Sequence, residues 1–276
     1  MTTAAVFPGH GPEATEAGGY VQARRPDLHE LAIELCGIDP FARARESTRY
    51  LQPAVFCTSV AASGELDRPP AMAAGHSLGE FAALVLAGAL AADDALGLVI
   101  RRGALCADIA EQLGPGGMVA VTARDPGRIA ALDGLGAAVA GDNGRGQVVL
   151  AGPRAALDAV RDAAAEAGLH ASELPVEVPF HTAAMEPAAQ GLADALAAVE
   201  VAEPAVPVLS CISAKPFADV RSELAGALTA RFRWGAVMDA LRAMGATRFV
   251  ELGPGRMLSS LIRRAVPAAE VERLGP

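Results

Sequence analysis

The chain has 276 residues, 52% of them hydrophobic and 20% charged. That supplies apolar material for one large core, or a large one carrying a smaller one, and argues against disorder. The formal net charge is -9 and aromatic residues make up only 4%, so an acidic surface repels a phosphate backbone and few rings remain for stacking on bases, which speaks against nucleic acid as a partner.

Residues 1–6 lack the basic and long apolar stretches of a secretory leader. Residues 4–7 are a short apolar run read as a strand, stopped by Pro8-Gly9-His10-Gly11-Pro12, where regular structure cannot continue. Helical periodicity follows over 28–35. Gln52-Pro53-Ala54 then opens a helix running through Val60, with proline near its N-terminus. Residues 71–74 are a strand that leads into Gly75-His76-Ser77-Leu78-Gly79, and an apolar helix spans 80–90. The longest apolar run, residues 81–92, has 12 residues and is too short to span a bilayer. A soluble cytoplasmic protein without membrane contact is expected. Asp93 and Asp94 are placed to cap a helix over 95–113.

The middle third changes character. After a hinge at 114–117 come a strand at 118–122 and a helix at 126–132. Strands at 137–140 and 147–150 flank a Gly141-Asp142-Asn143-Gly144 turn, before a helix at 154–167 and a strand at 173–178. This β-α-β-β-α-β order is the ferredoxin-like arrangement, a small sheet with two helices on one face. The expected division is a small unit over 117–181 inserted into a large one made of 1–116 and 182–276. The last third gives a helix at 187–199, a strand at 206–210, a helix at 220–230 and a strand at 249–252. A Gly253-Pro254-Gly255 turn and a helix at 257–264 close it. Cys36, Cys57, Cys106 and Cys211 are far apart, with no Cys-x-x-Cys and no Cys/His pair at ligand spacing, so neither a disulfide scaffold nor a metal site is expected.

Gly75-His76-Ser77-Leu78-Gly79 has the form G-x-S-x-G between a strand and a helix, where the motif has mechanical meaning. A serine on such an elbow stands at a helix N-terminus, where free N–H groups favour an oxyanion. A serine nucleophile needs a base. His76 is adjacent and is read as a packing or hydrogen-bonding neighbour, whereas His29 and His170 are read as surface residues. That leaves His181, where the small unit hands the chain back to the large one, and His10.

Val6-Phe7-Pro8-Gly9-His10-Gly11, Gln52-Pro53-Ala54, Gly75-His76-Ser77-Leu78-Gly79-Glu80 and Arg102-Gly103 follow one another along the chain. Gly141-Asp142-Asn143, Val178-Pro179-Phe180-His181 and Val250-Glu251-Leu252-Gly253-Pro254-Gly255 complete the series. Together they resemble the malonyl-CoA:acyl carrier protein transacylase family, which includes the acyltransferase domains of polyketide synthases. The resemblance covers almost the whole chain. It implies an α/β-hydrolase-like large subdomain with an inserted ferredoxin-like small subdomain, and a ping-pong Ser–His mechanism that needs no cofactor beyond the coenzyme A thioester substrate. It makes Ser77 the nucleophile, His181 the base and then acid, and Arg102 the clamp on a malonyl carboxylate. Gln52, His76, Phe180 and Asn143 become substrate contacts, and the N–H groups of His10 and Leu78 the oxyanion hole. A backbone carbonyl near Ala227 would orient the histidine.

The sequence departs from the family pattern in two places. His10 stands where the family has glutamine, keeping the main-chain donor while changing size and polarity. Arg231-Phe232-Arg233-Trp234 replaces a motif that usually carries Pro-Val. The substrates implied are malonyl-CoA and an acyl carrier protein, for fatty acid, polyketide or malonate decarboxylase metabolism, with the enzyme a monomer. Arg256 and Arg263, with Arg264 beside them, are the candidates for docking an acidic carrier. Three other readings share the scaffold: an editing thioesterase, a transferase for a non-malonyl acyl group, and a non-catalytic docking module, the last disfavoured by intact Ser77, His181 and Arg102.

Overall fold

The computed structural model describes residues 1–10, 17–123, 125, 128–129 and 132–276. Strand β1 (Thr3–Phe7) is followed by helices α1 (Gly18–Arg24), α2 (Pro26–Cys36) and α3 (Thr48–Ser63), then β2 (Met72–Gly75), α4 (Gly79–Leu86) and α5 (Ala92–Leu113). The chain next builds β3 (Gly116–Thr122), β4 (Ala138–Gly144), β5 (Gln147–Pro153), α6 (Arg154–Glu166) and β6 (His170–Glu173). It returns through α7 (Glu186–Ala197), β7 (Val208–Leu209), α8 (Val220–Gly226), β8 (Phe232–Arg233), α9 (Trp234–Ala243), β9 (Arg248–Leu252), α10 (Met257–Ala265) and β10 (Glu270–Leu274).

Two sheets result. The larger is wholly parallel in the order β10-β9-β1-β2-β7. Its inner strands β1, β2 and β9 are buried at every position, as a parallel sheet covered by helices on both faces requires. The smaller sheet has the order β6-β3-β5-β4-β8 and is antiparallel except at the β4–β8 edge. Its first four strands have the ferredoxin-like order. The fold is therefore an α/β-hydrolase-like large subdomain carrying an inserted ferredoxin-like small one.

Several boundaries differ from the sequence expectation, each for a local reason. Helix α3 begins at Thr48, because the Ser47 side chain accepts from Arg49 N and caps it, so Pro53 lies inside the helix. Proline has no N–H to give to the Arg49 carbonyl. Helix α5 passes close to that point through Gly103, where a Cβ would stand 3.1 Å from the Arg49 oxygen. Asp93 and Asp94 sit in the first turn of α5 rather than capping it; the N-cap is Ala91 and has no side-chain bond. Helix α4 stops at Leu86, just before left-handed Gly88. Gly141-Asp142-Asn143-Gly144 is not the turn but the end of β4. The hairpin turns instead at Arg145 and Gly146, both at positive φ (51° and 73°), as a two-residue primed turn demands.

Strand β6 ends at Glu173 instead of beginning there, since Pro175 cannot donate to the ladder. Helix α8 closes at Gly226, four residues short of the expected end, and β7 keeps only Val208 and Leu209 of the strand expected over 206–210. Most of the helix expected at 126–132 falls on residues 126, 127, 130 and 131, outside the described ones. Elements the periodicity did not announce are α1, β8, α9 and β10. Strand β8 matters most: it comes from the returning chain, yet it pairs parallel to β4, Gly141 with Phe232 and Asp142 with Arg233. No described helix is long and apolar enough to cross a membrane.

Candidate active site

Strand β2 delivers the chain to an elbow so tight that both of its glycines are sterically required. A Cβ on Gly75 would lie 2.0 Å from the Glu80 nitrogen, and one on Gly79 2.2 Å from the Phe7 carbonyl oxygen. Between them Ser77 is held at φ 52°, in the left-handed region that L-residues avoid. His181 is likewise held at φ 61°. Strained backbone of this kind persists only where the surroundings over-determine it, and it collects at functional sites.

The two residues meet. His181 Nε2 lies 3.0 Å from Ser77 Oγ, and Nδ1 lies 2.9 Å from the carbonyl oxygen of Ala230. A carbonyl can only accept, so Nδ1 carries the proton and Nε2 is free to accept from the serine hydroxyl. The main orienting carbonyl is that of Ala230, in the segment expected near Ala227, and the Ala227 carbonyl also bears on the imidazole. The main chain fixes the histidine again through His181 N, which donates to Leu228 O at 2.8 Å. Burial, opposed in part by the Ala230 hydrogen bond, pushes the imidazole down to about 3. It is neutral near pH 7 and able to take a proton.

His10, the other base candidate, packs its ring against Phe180 at 5.5 Å; burial and the charge of Arg102 push it to about 3. His29 stacks on Phe41 at 4.9 Å and His170 opens β6 on the surface, both away from the elbow.

Arg102 on α5 is only 4% exposed. One guanidinium nitrogen donates to Ser77 Oγ at 3.1 Å and the other to Gln52 Oε1. Gln52 donates in turn to Thr48 Oγ1 at 2.9 Å, so it supports the arginine from behind and does not line the cavity. Buried Glu80 is the nearby acidic residue, and it forms no salt bridge with Arg102. Its carboxyl accepts from Cys211 N at 2.7 Å, and burial pushes it up to about 8, which keeps it largely protonated at neutral pH. The site therefore holds a buried cation, within reach of the serine, that makes no salt bridge among the described residues.

A cavity of about 310 Å³ opens over these groups, between the elbow, the inner face of β3 and β5, and α10. His10, Leu78 and Phe180 line it, as do Arg264 and Ser260 on α10. His76 directs Nε2 to Asn143 Oδ1 at 3.1 Å and seats its ring against Phe232 and Trp234, the packing and hydrogen-bonding role expected of it. Of the α10 arginines, Arg256 is exposed at the N-cap, and Arg263 donates to the Val271 carbonyl at 3.2 Å. Arg264 stands at the cavity rim. The helix itself is fixed by Glu251 on β9, whose carboxyl accepts from Leu258 N and Ser259 N.

Gln147, Phe232 and Trp234 escaped the sequence reading. Phe232 and Trp234 stood in view only as a departure from a motif, and nothing local tied Gln147 to the elbow. Among the described residues no cluster of His, Cys, Asp or Glu could hold a metal ion.

Residues 42–268 match the family described as acyl transferase domain. The malonyl CoA-acyl carrier protein transacylase of Escherichia coli strain K12 is 34% identical over 95% of this chain and 92% of its own. The polyketide biosynthesis protein ThaF of Burkholderia thailandensis is 33% identical over 95% of this chain, which spans 24% of that longer protein. Among solved structures, the malonyl CoA-acyl carrier protein transacylase of Coxiella burnetii superposes with a TM-score of 0.90 at 30% identity, covering 99% of this chain and 94% of its own. A match over this much of the chain, around an elbow serine held by a carbonyl-anchored histidine, makes the chain an acyltransferase and a member of the acyl transferase domain family.

Proposed function

We propose that the protein transfers a malonyl group from coenzyme A to the phosphopantetheine thiol of an acyl carrier protein, in two half-reactions through Ser77. The observation that carries this reading is Arg102, a buried guanidinium bonded to Ser77 Oγ that makes no salt bridge among the described residues. A planar guanidinium grips a carboxylate through two parallel hydrogen bonds. An acyl group with a carboxylate at its far end would neutralise the cation and stand its thioester carbon at the serine.

In the first half-reaction Ser77 Oγ attacks the thioester carbonyl and its proton passes to His181 Nε2. The oxyanion is received by the main-chain N–H groups of Leu78 and His10. The carbon–sulfur bond breaks, the coenzyme A thiolate takes the proton from His181, and a malonyl ester remains on Ser77. In the second, His181 takes the proton of the carrier thiol and sulfur attacks the ester carbonyl. The ester carbon–oxygen bond breaks to leave malonyl on the carrier sulfur, and the released Ser77 alkoxide takes the proton back from His181. Phe180, 5.5 Å from the Arg102 guanidinium, fills the space an α-branch would need. Arg256 and Arg263 would meet the acidic carrier, with Arg264 where the pantetheine arm enters. The protein would work as a monomer, with the two substrates supplying all reactive groups.

Intact-mass spectrometry after incubation with a panel of acyl-CoAs tests this. Malonyl should add its mass to the wild type in preference to acetyl, butyryl and methylmalonyl, and Ser77→Ala should add none. Equal loading by acetyl, or loading of Ser77→Ala, overturns the assignment. Rapid disappearance of the adduct without a carrier thiol would make the protein a hydrolase.

A further inference from the structure

The residue before the nucleophile is held from its far side by a chain of hydrogen bonds that crosses the small sheet. Thr122 on β3 pairs with Gln147 on β5, and Gln147 pairs with Gly144, next to Asn143 on β4. Gln147 Nε2 donates to Thr122 Oγ1 at 3.2 Å, and Asn143 Nδ2 donates to Gln147 Oε1 at 3.1 Å. Asn143 Oδ1 then faces His76 Nε2. A carboxamide oxygen only accepts, so His76 carries its proton on Nε2. Asn143, like His76 and Gln147, lines the cavity, but it is only 8% exposed and both polar atoms of its amide are bonded inside the protein.

Strand β4, which carries Asn143, cannot easily move. A Cβ on Gly141 would fall 2.3 Å from the Phe232 ring, and one on Gly235 2.7 Å from Gly144 Cα. Arg145, in the hairpin turn, donates to the Ala265 carbonyl at the end of α10, at 2.8 Å. At the elbow, His76 N donates to Phe7 O, while its ring sits between the Asn143 hydrogen bond and the faces of Phe232 and Trp234.

We propose that Thr122, Gln147 and Asn143 are positioning residues. Acting through His76, they hold the Ser77 elbow in its reactive conformation and tie it to the small sheet, and Asn143 does not serve as a substrate contact. The proposal rests on Ser77 being the acylated residue.

Asn143→Leu and Thr122→Val test it, the second because Thr122 is at the far end of the chain and away from the cavity. Single-turnover acylation by malonyl-CoA is measured together with the ¹⁵N spectrum of the His76 imidazole. Misplacing a nucleophile by about 1 Å costs on the order of 100-fold. The maximal acylation rate should therefore fall roughly 10- to 100-fold in Asn143→Leu and about 3-fold in Thr122→Val, with half-saturation within about 2-fold of the wild type. The Nε2–H signature of the wild type should become a mixture of tautomers in Asn143→Leu. A raised half-saturation concentration at unchanged maximal rate would make Asn143 a substrate contact and overturn the proposal. So would an unchanged tautomer, or a folded Thr122→Val indistinguishable from wild type. A wild type that fails to acylate Ser77 removes the functional reading instead, and the tautomer spectrum still decides whether Asn143 anchors His76.

Discussion

On the proposed function, Arg102 is the side chain that would discriminate between acyl groups: a malonyl carboxylate would match its charge, whereas acetyl would set a methyl group against it. Leaving a buried carboxylate without its partner costs roughly 2–5 kcal/mol, so Arg102→Ala should lose malonyl kcat/KM by that amount while acetyl transfer holds or improves. Equal losses for both substrates would make the residue structural. His181 offers a second check, on pH. Its imidazole is pushed down to about 3 by burial, so acylation in the free enzyme should continue undiminished as pH falls through 6.5, where an ordinary histidine would protonate. That Ser77, His181 and Arg102, residues with a fixed motif register, come together was legible in the sequence. The orienting carbonyl was legible only as a segment near Ala227, not as Ala230 itself, since a carbonyl acceptor carries no side-chain signature.

Elements position these side chains through backbone contact at a few glycines. Gly79→Ala should cost more than about 3 kcal/mol in urea unfolding, or prevent folding, because the methyl must displace the Phe7 carbonyl at the centre of the large sheet. Gly97→Ala is the matched control: it lies in α5 with nothing within 4 Å of its Cβ position, and should stabilise by about 0.5–1 kcal/mol. If both variants behave alike, the elbow tolerates more movement than its packing implies. Strongly periodic helices such as α2, α6 and α7 were legible from their apolar spacing. Asn143 was misplaced onto a turn because Gly-Asp-Asn-Gly has turn composition, whereas the turn itself needed an arginine at positive φ, which composition does not signal.

Across the molecule, buried titratable groups give stability a defined optimum in pH. His76 and His181 have folded values of about 4 and 3, below the ordinary 6.5. As pH falls below 6.5 the unfolded chain binds protons the folded one refuses, and stability is lost. Glu80 works the other way: raised to about 8 in the fold, it gives stability that is present below 4.5 and lost as pH rises through 8. Each uncompensated proton is worth about 1.4 kcal/mol per pH unit. Unfolding free energy should therefore peak near pH 6.5, and Glu80→Gln should flatten the alkaline decline. Stability that climbs steadily from pH 6.5 to 8 would contradict this. At this scale the alternation of the two sheet types was readable from the order of elements. The seam between them was not, because β8 is two residues long and belongs in sequence to the other subdomain. That seam limits what can be grafted. A chimaera that exchanges residues 117–181 with those of a relative would separate β4 from β8, and an unpaired strand edge recruits other chains. Donor and recipient must be matched at Phe232 and Arg233 as well, so the smallest transplantable module is discontinuous in sequence.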